Sequence, residues 1–272
     1  MMSKRGRLAL AVLLVALVSV VVCQMWPTRE PVYQGKRLTA WLSQYMANHW
    51  VAAKQNNELD KQAQAAIRQI GTNAIPSLLR MLRAKDSALT LKMMSLAQYQ
   101  HIIRIGPVPA KAWNWTATAG FQVLGEEAQS AVPALMDIIN QNITPASRAS
   151  AIRALGSIGA PAKVAVPLLV QCTTDADGDV HSSSIYALAQ IGSEPCLVVP
   201  VLAKALRGPV FEAHSNVIRM LERFGPEAKP AVPELLKLLT RPDPFAGSLD
   251  KSLVTNALKK IDPQAAAEAG IQ

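Results

Sequence analysis

The chain has 272 residues, half of them apolar and only 5% aromatic, so a core must be built from Ala, Leu, Val and Ile, which suits close helix-on-helix packing. The length admits one or two compact domains or a single elongated array. The formal net charge of +9 is uneven: residues 1–28 hold three Lys/Arg and no acid, 29–111 hold twelve against four, and 112–272 hold thirteen against fifteen. An excess confined to the N-terminal third argues for a basic region beside a lipid surface and against a nucleic-acid-binding stripe.

Lys4, Arg5 and Arg7 form a basic n-region, 1–7, ahead of an apolar run from Leu8 that extends to Trp26. Its length is near the roughly 20 residues that span a bilayer, and the flanking charge places the N-terminus in the cytoplasm. Residues 8–26 are therefore expected to be a transmembrane anchor or uncleaved signal. A cleavable signal peptide is the rival, but Val20 to Gln24 offers no small residues for cleavage, and Val22 does not suit a lipoprotein Cys23. The expected location is the inner membrane with the rest of the chain in the periplasm or exterior, or, alternatively, secretion. Residues 27–59 read as a linker, Pro27 to Pro31, and an N-terminal helix with apolar residues at 38, 41, 42, 45, 46 and 50. His49 lies in that helix without a second ligand at metal spacing and reads as a packing or surface residue.

From there the chain repeats. Gly71 precedes Pro76, and Gly125, Gly159, Gly192 and Gly225 each precede a proline by eight residues: Pro133, Pro167, Pro200 and Pro233. The last four glycines recur every 33 or 34 residues. Gly tolerates a left-handed helix cap and Pro needs no donor at a helix start, so each unit is a pair of helices and the array a solenoid. The interval from Gly71 to Gly125 is longer and holds an insertion at about 87–115, with a long helix expected over Ser87 to Ile105. Trp113 and Trp115 fall within it and read as core or lid packing. A degenerate sixth unit has Asp262 in place of Gly and Gly270 in place of Pro, as terminal repeats often depart from pattern. The array is expected over 60–265, followed by a tail, 266–272.

The segments LGSIGAPAKVAVPLL, AQIGSEPCLVVPVL, RFGPEAKPAVPELL and VLGEEAQSAVPALM resemble the short bacterial HEAT-like repeats also found in phycobilin lyase relatives. Tyr33 to Lys36, followed by Leu38 to Leu42, is similar to the segment preceding the repeats in some exported bacterial members. The resemblance implies an all-α fold, an α-α superhelix of the HEAT-like solenoid type, used as a protein-binding scaffold.

Chemistry-bearing constellations are sparse. Cys172 and Cys196 fall near opposite ends of neighbouring helices, too far apart for a disulfide. Asp175-Ala-Asp177-Gly-Asp179 has its Gly after the second acid and Tyr186 at position twelve, so it reads as a turn with Asp177 or Asp179 capping the helix to Gln190, not a calcium loop. His181 and His214 occupy one repeat position, with Arg148 in the preceding unit, and read as a polar ladder on outer helices. No His is followed by Glu, the step that carries iron in helical-repeat hydroxylases, and neither a nucleophile elbow nor a phosphate-cradling loop is present. No catalytic, metal or cofactor site is expected, and the protein reads as a non-enzyme without cofactors.

A polar stripe repeats instead. Counted from each helix-opening proline it comprises Arg80, Asp137, Gln171, Lys204 and Lys237, with Arg83, Asn140, Thr174, Arg207 and Thr240 three residues on. Residues three apart share a helix face. In HEAT arrays, as the resemblance implies, second helices line the concave surface, so these ten residues are the expected binding stripe for a protein or peptide. Alternatives are a lyase-like or chaperone-like activity on a chromophore or cofactor, implied by the resemblance alone, and binding of an anionic polymer through Arg29 to Lys111.

Overall fold

The computed structural model describes residues 30–49, 58–88, 90–92, 108–207, 211–240 and 251–271. It opens with a small hairpin, β1 (Val32–Tyr33) paired antiparallel with β2 (Lys36–Arg37). Gln34 and Gly35 at its tip both have positive φ, +48° and +74°, the geometry whose twist matches that of the paired strands. Helix α1 (Leu38–His49) follows directly. Glu30 accepts from the Thr39 N–H and hydroxyl at 3.4 and 2.9 Å, satisfying first-turn donors, and Trp41 Nε1 donates to the Tyr33 carbonyl at 3.1 Å. Leu38, Trp41, Leu42 and Tyr45 are buried, so hairpin and α1 form a cap on one end of the core.

Further helices among the described residues are α2 (Glu58–Ile70), α3 (Ile75–Leu82), α4 (Ala110–Leu124), α5 (Val132–Gln141), α6 (Pro145–Ile158), α7 (Val166–Cys172), α8 (Gly178–Ile191), α9 (Pro195–Ala205), α10 (Phe211–Phe224), α11 (Val232–Thr240), α12 (Lys251–Ile261) and α13 (Pro263–Glu268). They form an all-α solenoid of stacked helix pairs. Apolar residues spaced three and four apart on both helices of a pair, such as Ile152, Leu155 and Ile158 on α6 with Val166 and Leu169 on α7, meet in one continuous core.

The eight-residue interval from Gly to Pro has a physical reason. In three units it forms a 3-10 turn, Gly125–Ala131, Ala160–Ala165 and Gly225–Ala231, that buries two alanines beneath the core. Gly159 leaves α6 at φ +74°, and Pro167 falls in the first turn of α7, where the missing donor costs nothing. The Gly192 unit departs from this pattern. Pro195 starts α9 early, Glu194 adopts φ +56°, and Pro200 falls inside the helix instead of opening it. A proline with preset φ nucleates a helix where it stands, so the earlier proline prevails.

Other expectations are met or corrected in turn. Asp177 caps α8, its carboxylate accepting from the Asp179 and Val180 N–H groups at 3.0 Å each. Asp262, standing in for Gly, caps α13 by accepting from the Ala265 N–H at 3.3 Å. Most of the expected helix over Ser87 to Ile105 lies outside the described residues. Trp113 and Trp115 belong to α4, the first helix of a regular pair. The anchor expected over 8–26 also lies outside the described residues. Among the described residues no helix is long and apolar enough to cross a membrane, and the expectation of inner-membrane anchoring is corrected accordingly.

Candidate binding groove on the inner helical layer

The two layers of the solenoid are not spaced alike. Consecutive first helices, α4 with α6, α6 with α8, α8 with α10 and α10 with α12, pack along their lengths, whereas α5, α7, α9 and α11 touch one another sparsely. In a stacked array the layer with the shorter spacing lies inside the curve. Small side chains permit that approach: a Cβ added to Gly156 on α6 would stand 2.9 Å from Cα of Ala187 on α8. Ala149, Ala151, Ala154, Ala187 and Ala189 are buried in the same layer. The first helices are therefore the inner layer.

All ten residues of the expected stripe, Arg80, Arg83, Asp137, Asn140, Gln171, Thr174, Lys204, Arg207, Lys237 and Thr240, are solvent-exposed. They belong to the outer layer, on α3, α5, α7, α9 and α11 or the turns directly after them. The closer spacing of the first helices argues against a concave position for these ten residues. Two of the cations are also engaged. Glu234, nearly buried, accepts from Lys237 Nζ at 3.0 Å and pairs with Arg207 at 2.9 Å. Lys237 and Arg207 hold its carboxyl below the usual range against the opposing effect of burial. These contacts join α11 to the end of α9.

The position shared by Arg148, His181 and His214 is likewise not an outer ladder, since it lies on the inner helices α6, α8 and α10. Arg148 donates to Asp175 at 2.7 Å, and the His181 Nδ1–H donates to the Thr173 carbonyl at 2.6 Å. His214 is buried. Arg148 and His181 tie the end of α7 to the inner layer. The Asp175 carboxyl is held below its ordinary value by the Asp177 N–H and the Arg148 guanidinium. Cys172, beside this pair, is buried, and burial pushes its thiol up, away from the reactive thiolate. Among the described residues no group of three or more His, Cys, Asp or Glu is placed to hold a metal ion. Buried amide and hydroxyl groups serve the backbone: Asn114 donates to the Met81 and Leu82 carbonyls at 2.9 Å each, and Ser147 to Leu82 at 2.6 Å, closing the C-terminus of α3.

The inner layer carries a groove. One depression of about 380 Å³ is lined by Trp115, Thr118 and Gln122 of α4, Arg153 and Ser157 of α6, and Tyr186 and Gln190 of α8. A second, of about 230 Å³, adjoins it through Tyr186 and Gln190 and continues over Asn216, Arg219 and Arg223 of α10. Trp115 and Tyr186 are two of the few large apolar side chains left exposed, at 38% and 43%. The Arg153 guanidinium stands 5.5 Å from the Trp115 ring centroid, within cation–π range, and 3.5 Å from Asp179. Arg153, Tyr186 and Arg219 recur every 33 residues, as do Ser157, Gln190 and Arg223. Helical periodicity alone does not single out this ladder. The signal was present in the Ala, Gly and Ser residues of α4, α6 and α8, which mark the helices that pack closest.

Residues 117–189 and 132–209 match the family model for HEAT repeats, a span that includes α6 and α8 but not Trp115 or α10. An engineered protein solved by a structural genomics consortium is similar at 19% identity, with a TM-score of 0.46 over 85% of this chain and 97% of that one. A designed armadillo repeat protein in complex with the peptide (KR)4 is similar at 16% identity, with a TM-score of 0.43 over 87% of this chain and all of the other. No curated protein matches the chain.

Proposed function

We propose that this helical-repeat protein is a non-catalytic scaffold that binds a protein partner along its inner layer, across α4, α6, α8 and α10. The observation that supports the reading is the groove itself: two exposed aromatic rings, Trp115 and Tyr186, set among Gln, Ser and Arg at repeating positions. Exposed aromatic and arginine side chains in a concave surface are the groups that most often dominate protein recognition. Contacts would be distributed over several repeats, each modest, as the stacked architecture favours.

A photo-reactive cross-linker placed at Gln190, compared with one at Lys204 on the outer layer, tests the assignment in the native host. A discrete adduct from Gln190, lost in the Trp115→Ala/Tyr186→Ala double variant and absent from Lys204, is the expected result. Adducts from Lys204 that charge reversal at Arg207 and Lys237 removes would transfer the function to the outer stripe.

A further inference from the structure

We infer that the occupant of the inner groove is an extended acidic peptide segment with polyproline II pitch, carrying carboxylates on either side of an aromatic or apolar residue. This deepens the inner-face reading and rests on it. Three features of the groove lead to it.

The first is charge. Among the described residues no acidic side chain lines either depression, while Arg153, Arg219 and Arg223 do. No carboxylate among the described residues pairs with Arg219 or Arg223; their neighbour Glu222 is taken by Lys260 at 2.6 Å. Arg153 has Asp179 at 3.5 Å, but that carboxylate is more than half exposed, so a ligand carboxylate can displace it. Guanidinium groups with no carboxylate partner in a concave site favour a ligand carboxylate through charge-assisted hydrogen bonds.

The second is spacing. Arg153, Tyr186 and Arg219 stand on successive inner helices, and packed helices lie about 8–10 Å apart. A polyproline II strand has three residues per turn and rises about 3.1 Å per residue, so side chains on one of its faces recur about every 9 Å. The two repeats match. A β-strand, with same-face side chains about 6.6 Å apart, falls out of step after one helix. A segment crossing the groove thus presents an acidic residue to Arg153, an aromatic or apolar residue to Tyr186 three positions along, and an acidic residue to Arg219 and Arg223 three further.

The third is the lining between the rungs. A polyproline II backbone makes no internal hydrogen bonds and leaves its amides and carbonyls to the receptor. Gln122, Gln190 and Asn216 supply side-chain amides that both donate and accept.

The test uses the full chain and fluorescence anisotropy with a labelled peptide, Glu-Pro-Pro-Tyr-Pro-Pro-Glu, at low and moderate salt. Saturable binding is expected, about tenfold weaker for the Glu-to-Gln peptide and for the Arg219→Glu/Arg223→Glu variant, and unchanged for Lys204→Glu. A peptide with its second Glu replaced by Lys should recover affinity for the Arg-to-Glu variant. Thermal melts monitored by circular dichroism confirm that each variant folds. Equal binding of the Glu and Gln peptides overturns the acidic class, and tighter binding of single-stranded oligonucleotides overturns it in favour of a nucleic acid. If the peptide fails while cross-linking from Gln190 still depends on Trp115 and Tyr186, the inner face stands and the occupant is of another class. If both fail, the inner-face reading falls with it.

Discussion

The two layers of this solenoid differ in what their side chains are for. On the outer layer, exposed charges are partly spent on structure: Arg207 and Lys237 converge on the nearly buried Glu234. On the inner layer, Arg219 and Arg223 face solvent with no carboxylate partner among the described residues, and Trp115 and Tyr186 are partly exposed. The outer layer also keeps its distance between neighbours, while the inner layer closes to the limit set by Gly156 against Ala187. Ion pairs brace both layers, Arg153 with Asp179 and Lys260 with Glu222 on the inner one, but small residues set the inner spacing, and Arg219 and Arg223 take no part in that bracing.

Substitutions at the close approach should break this contrast most strongly. Gly156→Val places branched carbon against the α8 backbone, which cannot move as a side-chain tip would, and should cost on the order of 1–3 kcal/mol. Chemical denaturation reads this as a lower midpoint at unchanged slope. The outer-layer control Pro167→Ala, at an exposed first-turn position, should shift the midpoint far less.

Removing the cap of an inner helix comes next. Asp177→Ala leaves the Asp179 and Val180 N–H groups without their acceptor and should cost about 1 kcal/mol. A measured cost near zero would mean that water replaces the carboxylate at that helix start.

Acid should loosen both layers through their carboxylates. Asp175, Glu234 and Asp262 have folded pKa values below their ordinary ones, held there respectively by the Asp177 N–H and Arg148, by Lys237 and Arg207, and by the Ala265 N–H and Lys229. A carboxyl with a lowered folded value contributes stability that is complete above its unfolded pKa and is lost as pH falls through the folded one. Stability attributable to these groups should be flat at neutral pH and decline below about pH 4, followed by thermal melts across that range. Arg148→Met should flatten the part of the decline that belongs to Asp175.

The smallest effect on folding is expected from the groove. Arg219→Ala and Tyr186→Ala remove exposed side chains and should change stability by less than about 0.5 kcal/mol. Their effect should appear in binding alone, and a large stability loss would show that the ladder is structural after all.

Much of this architecture was legible in the chain. Glycines and prolines at a constant interval mark where each helix stops and the next begins, and apolar residues three and four apart identify the buried stripe of each pair. The hairpin at Val32–Arg37 is not legible in the chain because four strand residues carry too little periodicity, although Gln34-Gly35 is a turn signal. The start of α9 was misplaced because two prolines, Pro195 and Pro200, compete for it. Helical periodicity fixes which stripe of a helix faces its partner. It carries no information on which of two layers lies inside a curve. That was decided in three dimensions by the difference in side-chain size between neighbours of the same layer, with Gly156 and Ala187 drawing the first helices together while Leu- and Val-rich second helices stay apart. For that reason an exposed stripe is legible in the chain while the face it occupies is not, and the ladder of Arg153, Tyr186 and Arg219 emerges only once the helices are packed.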